Sequence, residues 1–370
     1  MRPELASGDR AVVKIGTASL VGSAGEPDED RMRALCAQIA QVREAGIDVV
    51  LVSSGAIAVG LGLLRIGARP SDIPSLQAAA AVGQGRLLAR YMRVMGEFDL
   101  LSAQMLLTRY DFMHRQQYLN ARNTLDRLIS LGVVPVVNEN DTIAVDEIRF
   151  GDNDRLAALV ANLARAKLLV LLTDAKGVHT IDPRRDPDAS VIDEVERITP
   201  ELERVAGGRG SEYATGGMAS KIAAAWVATF SGVGVVVADS SEPEVVVRAV
   251  HGERVGTFFH PRPHRASARR LWIAFAQPPR GTVVVDDGAH RAVVEGKRSL
   301  LPVGVVQVRG RFESGDTVDV ASDSGAVFAR GLVRYSSEEL AQARGRPTAE
   351  LQGREVIHRD QLVVLEEERS

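Results

Sequence analysis

The sequence predicts an α/β protein: a three-layer α-β-α sandwich built on a mostly parallel sheet, followed by a small all-β domain of barrel type. Three observations predict it. Short β-branched runs alternate with helical stretches rich in Ala, Leu and Arg as far as about residue 260. Each of those runs ends in a cluster of Ser, Thr, Asn, Asp or Gly. Beyond residue 260, short strand-like runs follow one another across turns.

In chain order, residues 11–15 form the first run and lead into Gly16-Thr17. A helical stretch covers 31–45. Residues 49–52 lead into Ser53-Ser54-Gly55-Ala56, and a second helical stretch covers 76–95. Residues 133–137 end in Asn138-Glu139-Asn140-Asp141, and 155–164 is helical. Residues 168–172 end in Thr173-Asp174. A glycine-rich loop then opens a helical pattern that runs to about Phe230, and 233–237 closes on Ala238-Asp239-Ser240. Strands linked through helices lie parallel, and ligands bind such sheets at the carboxyl ends of the strands. Those ends carry the polar residues here.

This gives a first domain over 1–262, a linker over 263–279 and a β domain over 280–366. The stretch from Pro261 to Pro279 holds four prolines and the basic residues Arg262, His264, Arg265, Arg269 and Arg270, and 271–275 reads as an added strand. Residues 282–285, 304–308, 317–320, 327–333 and 362–365 are the strands expected of the β domain.

Composition excludes several classes. A formal net charge of −3 is poor for a global grip on nucleic acid or membrane. Cys36 is the single cysteine, so neither an intrachain disulfide nor a thiolate zinc cluster can form. The first ten residues lack the apolar core of a signal peptide, and the longest aliphatic run is far below the roughly 20 residues of a membrane span. A cytoplasmic location is expected.

Only five of the 45 Lys+Arg residues are lysines: Lys14, Lys167, Lys176, Lys221 and Lys297. Where arginine serves nearly every cationic position, a retained lysine marks a place for a compact ammonium. Lys14 lies inside the first strand, as either an edge residue facing solvent or a phosphate contact beside Gly16-Thr17. Lys221 closes Thr215-Gly216-Gly217-Met218-Ala219-Ser220-Lys221 at a helix start, where backbone N–H groups and the helix dipole attract an anion. A plain glycine-rich surface loop fits that string about as well. Gly151-Asp152-Asn153-Asp154 opens the 155–164 helix and is either a cap or part of a polar site with Asn138 and Asp141. Three patterns mislead. His358-Arg359-Asp360 lacks the downstream Asn of a kinase catalytic loop, Gly60-x-Gly62 is followed by Arg65 where a dinucleotide loop has glycine, and the histidines show no metal spacing.

Taken together, these segments resemble the amino-acid kinase family, in particular its branch acting on the glutamate side chain. The resemblance rests on 13–17, 52–57, 104–108, 138–141, 151–154, 171–177 and 215–218. Residues 285–289, 299–302 and 315–316 resemble a PUA domain. The resemblance implies that ATP and L-glutamate give ADP and L-glutamyl 5-phosphate, the first step of proline biosynthesis, with Mg²⁺ as the metal and proline as inhibitor. It implies that Lys14 and Lys221 contact the transferring phosphoryl group and that Asp154 orients them. Thr173, Asp174, Thr215, Gly216, Gly217, Met218, Ala219 and Ser220, with both lysines, would hold ATP. Ser54, Asp141 and Asn153 would hold glutamate. A homo-oligomer and a hand-off to glutamate-5-semialdehyde dehydrogenase are the implied partners.

The residues agree with that chemistry. A glutamate side chain, with pKa about 4.3, is already ionised at neutral pH, so no general base is needed. Two anions must instead be brought together, which calls for cations and positioning. Sister kinases acting on N-acetylglutamate, aspartate, carbamate or UMP compete with this reading; the acidic and amide cluster favours a free ammonium. An RNA-binding reading of the PUA-like part is disfavoured, because residues 278–370 hold 13 Lys+Arg against 15 Asp+Glu.

Overall fold

In the computed structural model, which describes residues 2–22, 25–144, 153–181, 186, 189–205, 217–263, 268–271, 273–274, 279–351 and 353–365, the aliphatic runs lie side by side as strands. The chain divides into two units, Met1–Arg265 and Ala266–Ser370. Among the described residues the first unit holds eight strands: β1 Arg10–Ile15, β2 Asp48–Val52, β3 Ser102–Leu107, β4 Val134–Glu139, β5 Leu168–Thr173, β6 Glu194–Val195, β7 Gly234–Asp239 and β8 Thr257–Phe259. Their order is β3-β4-β2-β1-β5-β7-β8-β6. Every neighbouring pair is parallel except β7 with β8.

β1 therefore lies in the middle of the sheet, with Lys14 opposite Val52 on one side and Leu171 on the other. Side chains alternate across a strand. Ala11, Val13 and Ile15 face a core shared with the helices Glu29–Glu44, Ile73–Gly96 and Val245–Val250. Lys14 consequently faces the opposite layer, where the helices Asp154–Leu163 and Met218–Phe230 pack together, the first against β1 and the second against β7. A central strand is the reason the solvent-facing alternative for Lys14 fails.

β3 departs from the aliphatic pattern. Ser102 and Gln104 interrupt it, and an edge strand with a half-exposed face needs no continuous apolar run. Gly60, part of the misleading Gly60-x-Gly62 pair, serves helix packing: a Cβ there would lie 1.8 Å from the Ala79 carbonyl oxygen.

The second unit carries a five-stranded sheet, β9 Gly281–Val285, β10 Val305–Gly310, β11 Thr317–Ser322, β12 Val327–Leu332 and β13 Leu362–Val364, in the order β10-β9-β11-β12-β13. It also contains the helices Asp287–Val294 and Ser337–Ala343. The strand expected at 271–275 is absent among the described residues there; Leu271 instead closes the short helix Ala268–Leu271. Short apolar runs do not by themselves separate strand from helix. No helix among the described residues is long and apolar enough to cross a membrane.

Candidate active site

Two clusters meet at the carboxyl ends of the central strands. The first is built on Asp154, in the first turn of the helix Asp154–Leu163. Asp154 is fully buried, an expensive place for a carboxylate unless it is paired. It is paired twice. Lys14 Nζ reaches Oδ1, and Lys221 Nζ lies 3.1 Å from Oδ2. Ser220 Oγ donates to Oδ2 at 2.9 Å. Burial pushes the Asp154 carboxyl up, but the ammonium groups of Lys14 and Lys221, with the hydrogen bonds to it, outweigh burial and hold it below the ordinary carboxylate range.

The three charged side chains leave a net positive centre. Lys14 and Lys221 are 3% and 5% exposed, so neither ammonium is dispersed into solvent. Lys221 arrives from the Met218–Phe230 helix, whose start is preceded by Gly217. A Cβ at Gly217 would meet nothing within 4 Å among the described residues. Ser220 also caps back to the Gly217 carbonyl at 2.8 Å. Thr173 and the exposed Asp174 end β5, with Thr173 Oγ1 donating to Asp174 Oδ1 at 3.0 Å. Thr215, Gly216, Gly151 and Asp152 lie outside the described residues.

The second cluster is a cleft, partly open to solvent, at the ends of β2 and β4. Thr17, Ser54, Gly55, Ala56, Ile57, Ala58, Arg69, Asn138, Glu139, Asp141 and Asn153 line it. Gly55 adopts a left-handed φ of 105° that turns the chain from β2 into the helix Ala56–Leu63. Ser54 Oγ is buried with no hydrogen-bond partner among the described residues, which leaves it available to a polar ligand. Asn153 does not use its side chain to cap the helix behind it. Its Nδ2 donates instead to the Ser53 carbonyl and to Asn138 Oδ1, both at 2.6 Å. Asn153 and Asp154 are consecutive, so the cleft and the lysine centre are joined through the backbone.

The structure thus brings Ser54, Asp141 and Asn153 into one cleft, and Lys14, Lys221, Asp154 and Ser220 into one ion cluster. Sequence reasoning passed over Arg69 and Glu139 as cleft residues. Arginine is too common in this chain for Arg69 to stand out, and Glu139 sits inside a polar string that drew attention as a whole. No group of three or more His, Cys, Asp or Glu side chains placed to hold a metal occurs among the described residues. Mg²⁺ is ordinarily held by one or two carboxylates plus substrate phosphates, so Asp174 with a nucleotide is a compatible donor set.

A buried ammonium pair beside a polar strand-end cleft defines an anion-handling α/β enzyme. Residues 9–239 match the amino acid kinase family, and residues 281–353 match the PUA domain. The chain belongs to the amino acid kinase family. It is similar to the glutamate 5-kinase of Geobacter sp. (strain M21), 46% identical over 363 residues that cover 96% of this chain and 97% of that one. The glutamate 5-kinases of Syntrophotalea carbinolica (45% identical, 98% and 100% covered) and Moorella thermoacetica (44% identical, 98% and 98% covered) are similar too. Among solved structures, isopentenyl phosphate kinase aligns with 68% of this chain and 99% of its own at a TM-score of 0.47 and 18% identity. UMP kinase from Bacillus anthracis aligns with 68% and 96% at 0.48 and 16%.

Proposed function

We propose that this enzyme transfers the γ-phosphoryl group of ATP to the side-chain carboxylate of L-glutamate, giving L-glutamyl 5-phosphate for proline biosynthesis. The observation that carries the reading is the pairing of Lys14 and Lys221 with one buried carboxylate, beside a cleft that offers acceptors and a cation. Near-full-length similarity to glutamate 5-kinases supports the choice of acceptor.

In this mechanism the glutamate side chain, ionised above about pH 4.3, attacks the γ-phosphorus directly. A bond forms from a carboxylate oxygen to phosphorus. The bond from phosphorus to the β–γ bridging oxygen breaks, and ADP leaves with the electron pair. Lys14 and Lys221 neutralise the charge that gathers on the transferring group, and Asp154 keeps both ammoniums aimed without being consumed. Gly217, Met218, Ala219 and Ser220, with Thr215 and Gly216, hold the nucleotide phosphates, and Thr173 and Asp174 hold the rest of ATP. Mg²⁺, held by Asp174 and the phosphates, would supply further charge neutralisation.

Glutamate fits the cleft by charge. Asp141, Glu139 and the Asn153 oxygen suit its ammonium, and Arg69 suits its α-carboxylate. Ser54 Oγ supplies a further polar contact. Proline shares the ammonium and α-carboxylate, so it would compete for the same cleft and act as feedback inhibitor. A homo-oligomer is consistent with exposed Leu101 and Leu131, which precede edge strand β3 and its neighbour β4. Hand-off to glutamate-5-semialdehyde dehydrogenase suits a product that water can hydrolyse.

The deciding experiment is ADP release from ATP with glutamate, N-acetylglutamate, aspartate, carbamate or UMP as acceptor, each with and without proline. Turnover with glutamate that proline suppresses is expected. Turnover with another acceptor in its place would refute the assignment.

A further inference from the structure

A chain of side-chain amides runs behind the cleft, and one backbone N–H dictates how each member points. The Glu139 N–H donates to Asn138 Oδ1 at 2.9 Å. A backbone N–H can only donate, so the Asn138 atom facing it is the carbonyl oxygen. Asn138 Nδ2 then faces the other way and donates to Gln84 Oε1 at 2.6 Å. Asn138 Oδ1 also accepts from Asn153 Nδ2, whose second hydrogen goes to the Ser53 carbonyl. A carboxamide nitrogen carries two hydrogens, and both of those on Asn153 are committed. What remains to Asn153 for a ligand is Oδ1, which can only accept.

We propose that Gln84 is a positioning residue that sets the cleft's preference for a free ammonium, acting through Asn138 on Asn153; this rests on the glutamate reading of the cleft. Gln84 lies on the helix Ile73–Gly96 and is not among the cleft-lining residues. Three hydrogen bonds hold the Asn138 carboxamide, two at its oxygen and one at its nitrogen. The Glu139 N–H belongs to the backbone and no substitution removes it; the Gln84 oxygen belongs to a side chain and can be removed. Without it, the buried Asn138 Nδ2 loses its partner, an unfavourable state that a shift of the side chain toward another acceptor relieves. That shift loosens the Asn138 Oδ1 contact, so Asn153 Nδ2 is held by the Ser53 carbonyl alone and its Oδ1 is less firmly placed for an ammonium. An acceptor at Asn153 attracts it. An N-acetylated amine, which has one hydrogen and no charge, gains far less from that acceptor.

The test uses full-length enzyme carrying Gln84→Leu or Gln84→Glu. Gln84 is half-buried, so a carboxylate there keeps the acceptor without being sealed from water. The expected result for Gln84→Leu is a KM for glutamate raised about tenfold or more, with KM for ATP within twofold; each tenfold is about 1.4 kcal/mol. Gln84→Glu should restore KM for glutamate to within about threefold of wild type. An unchanged KM in Gln84→Leu, parallel changes in both KM values, or failure of Gln84→Glu to rescue would overturn the proposal. Hydrogen exchange of the Asn138 and Asn153 carboxamide protons reads the same relay without any substrate. Faster exchange at Asn138 in Gln84→Leu supports it, and equal exchange in the two proteins overturns it. Absence of glutamate turnover in the wild type would sink the functional reading alone and leave the exchange measurement to decide the role of Gln84.

Discussion

The two units solve the same packing problem with different materials. In the first, Lys14, Ser53, Ser54, Asn138, Glu139, Asn153, Asp154, Thr173 and Lys221 are all buried near the ends of the strands. In the second, Thr317 is the one polar side chain buried among the described residues, and the core is Val, Leu, Phe and Ala with Ile357 and Tyr335. Buried charge costs stability that an apolar core of equal volume does not. A chain that tolerates it in one unit and avoids it in the other has concentrated its chemistry. The contrast predicts that substitutions of equal size will trade stability and activity differently in the two places.

Asp154 gives the largest expected effect. Asp154→Ala leaves two buried ammoniums without their shared counterion. Loss of one partner from such a cluster costs about 3–5 kcal/mol. Turnover and thermal stability should fall together, and near-native melting of this variant would mean the cluster is wetter than it looks. The pH dependence follows from the same geometry. The folded carboxyl sits below its unfolded value, so its contribution is fully present above about pH 4 and is lost as pH falls through the lower, folded pKa. Asp154 therefore stays ionised while the glutamate side chain, with pKa about 4.3, takes up its proton. The acid limb of kcat/KM should follow the substrate, and a limb centred well above pH 5 would point to another group.

Next come the lysines. Lys14→Ala and Lys221→Ala should each lower kcat on the order of 100-fold or more, as loss of a preorganised electrostatic donor does. Wild-type turnover in either would remove that lysine from the mechanism. Asp141→Ala should act on binding instead, raising KM for glutamate about tenfold while KM for ATP moves little. Equal effects on both would place Asp141 elsewhere than the acceptor cleft.

Much of this was legible in the sequence, for a physical reason. A scarce lysine inside an aliphatic strand stands out against an arginine-rich background, and Ser-, Asn- and Asp-rich strand ends mark where a parallel sheet binds. Convergence was legible only through the family resemblance, not from the residues themselves. Lys14, Asp154 and Lys221 come from three elements far apart in the chain, and only the sheet order brings them together. Gln84 was equally silent, since one amide on a helix carries no periodic or motif signal. Helix Ser337–Ala343 is different: Ser336 and Glu339 form a capping box that could have been read directly. The run at 271–275 misled because apolar character without length decides nothing.

The smallest effect sharpens the comparison from the other side. Asp319 on β11 and Arg330 on β12 face each other across the ladder, with Arg330 Nε donating to Asp319 Oδ1 at 2.7 Å. Arg330 Nη1 also donates to the Ala274 carbonyl at 2.7 Å. Both side chains are about 15% exposed, so solvent weakens the pair without abolishing it. A cross-strand pair of this kind contributes about 0.2–1 kcal/mol. Arg330→Ala should therefore loosen the second unit by about 1 kcal/mol at most, read as faster amide exchange across β11 and β12. It should leave kcat and both KM values unchanged, because Asp319 without its partner still reaches water and no buried charge is stranded. A fall in kcat comparable to that of the lysine variants would show that the chemistry is not confined to the first unit.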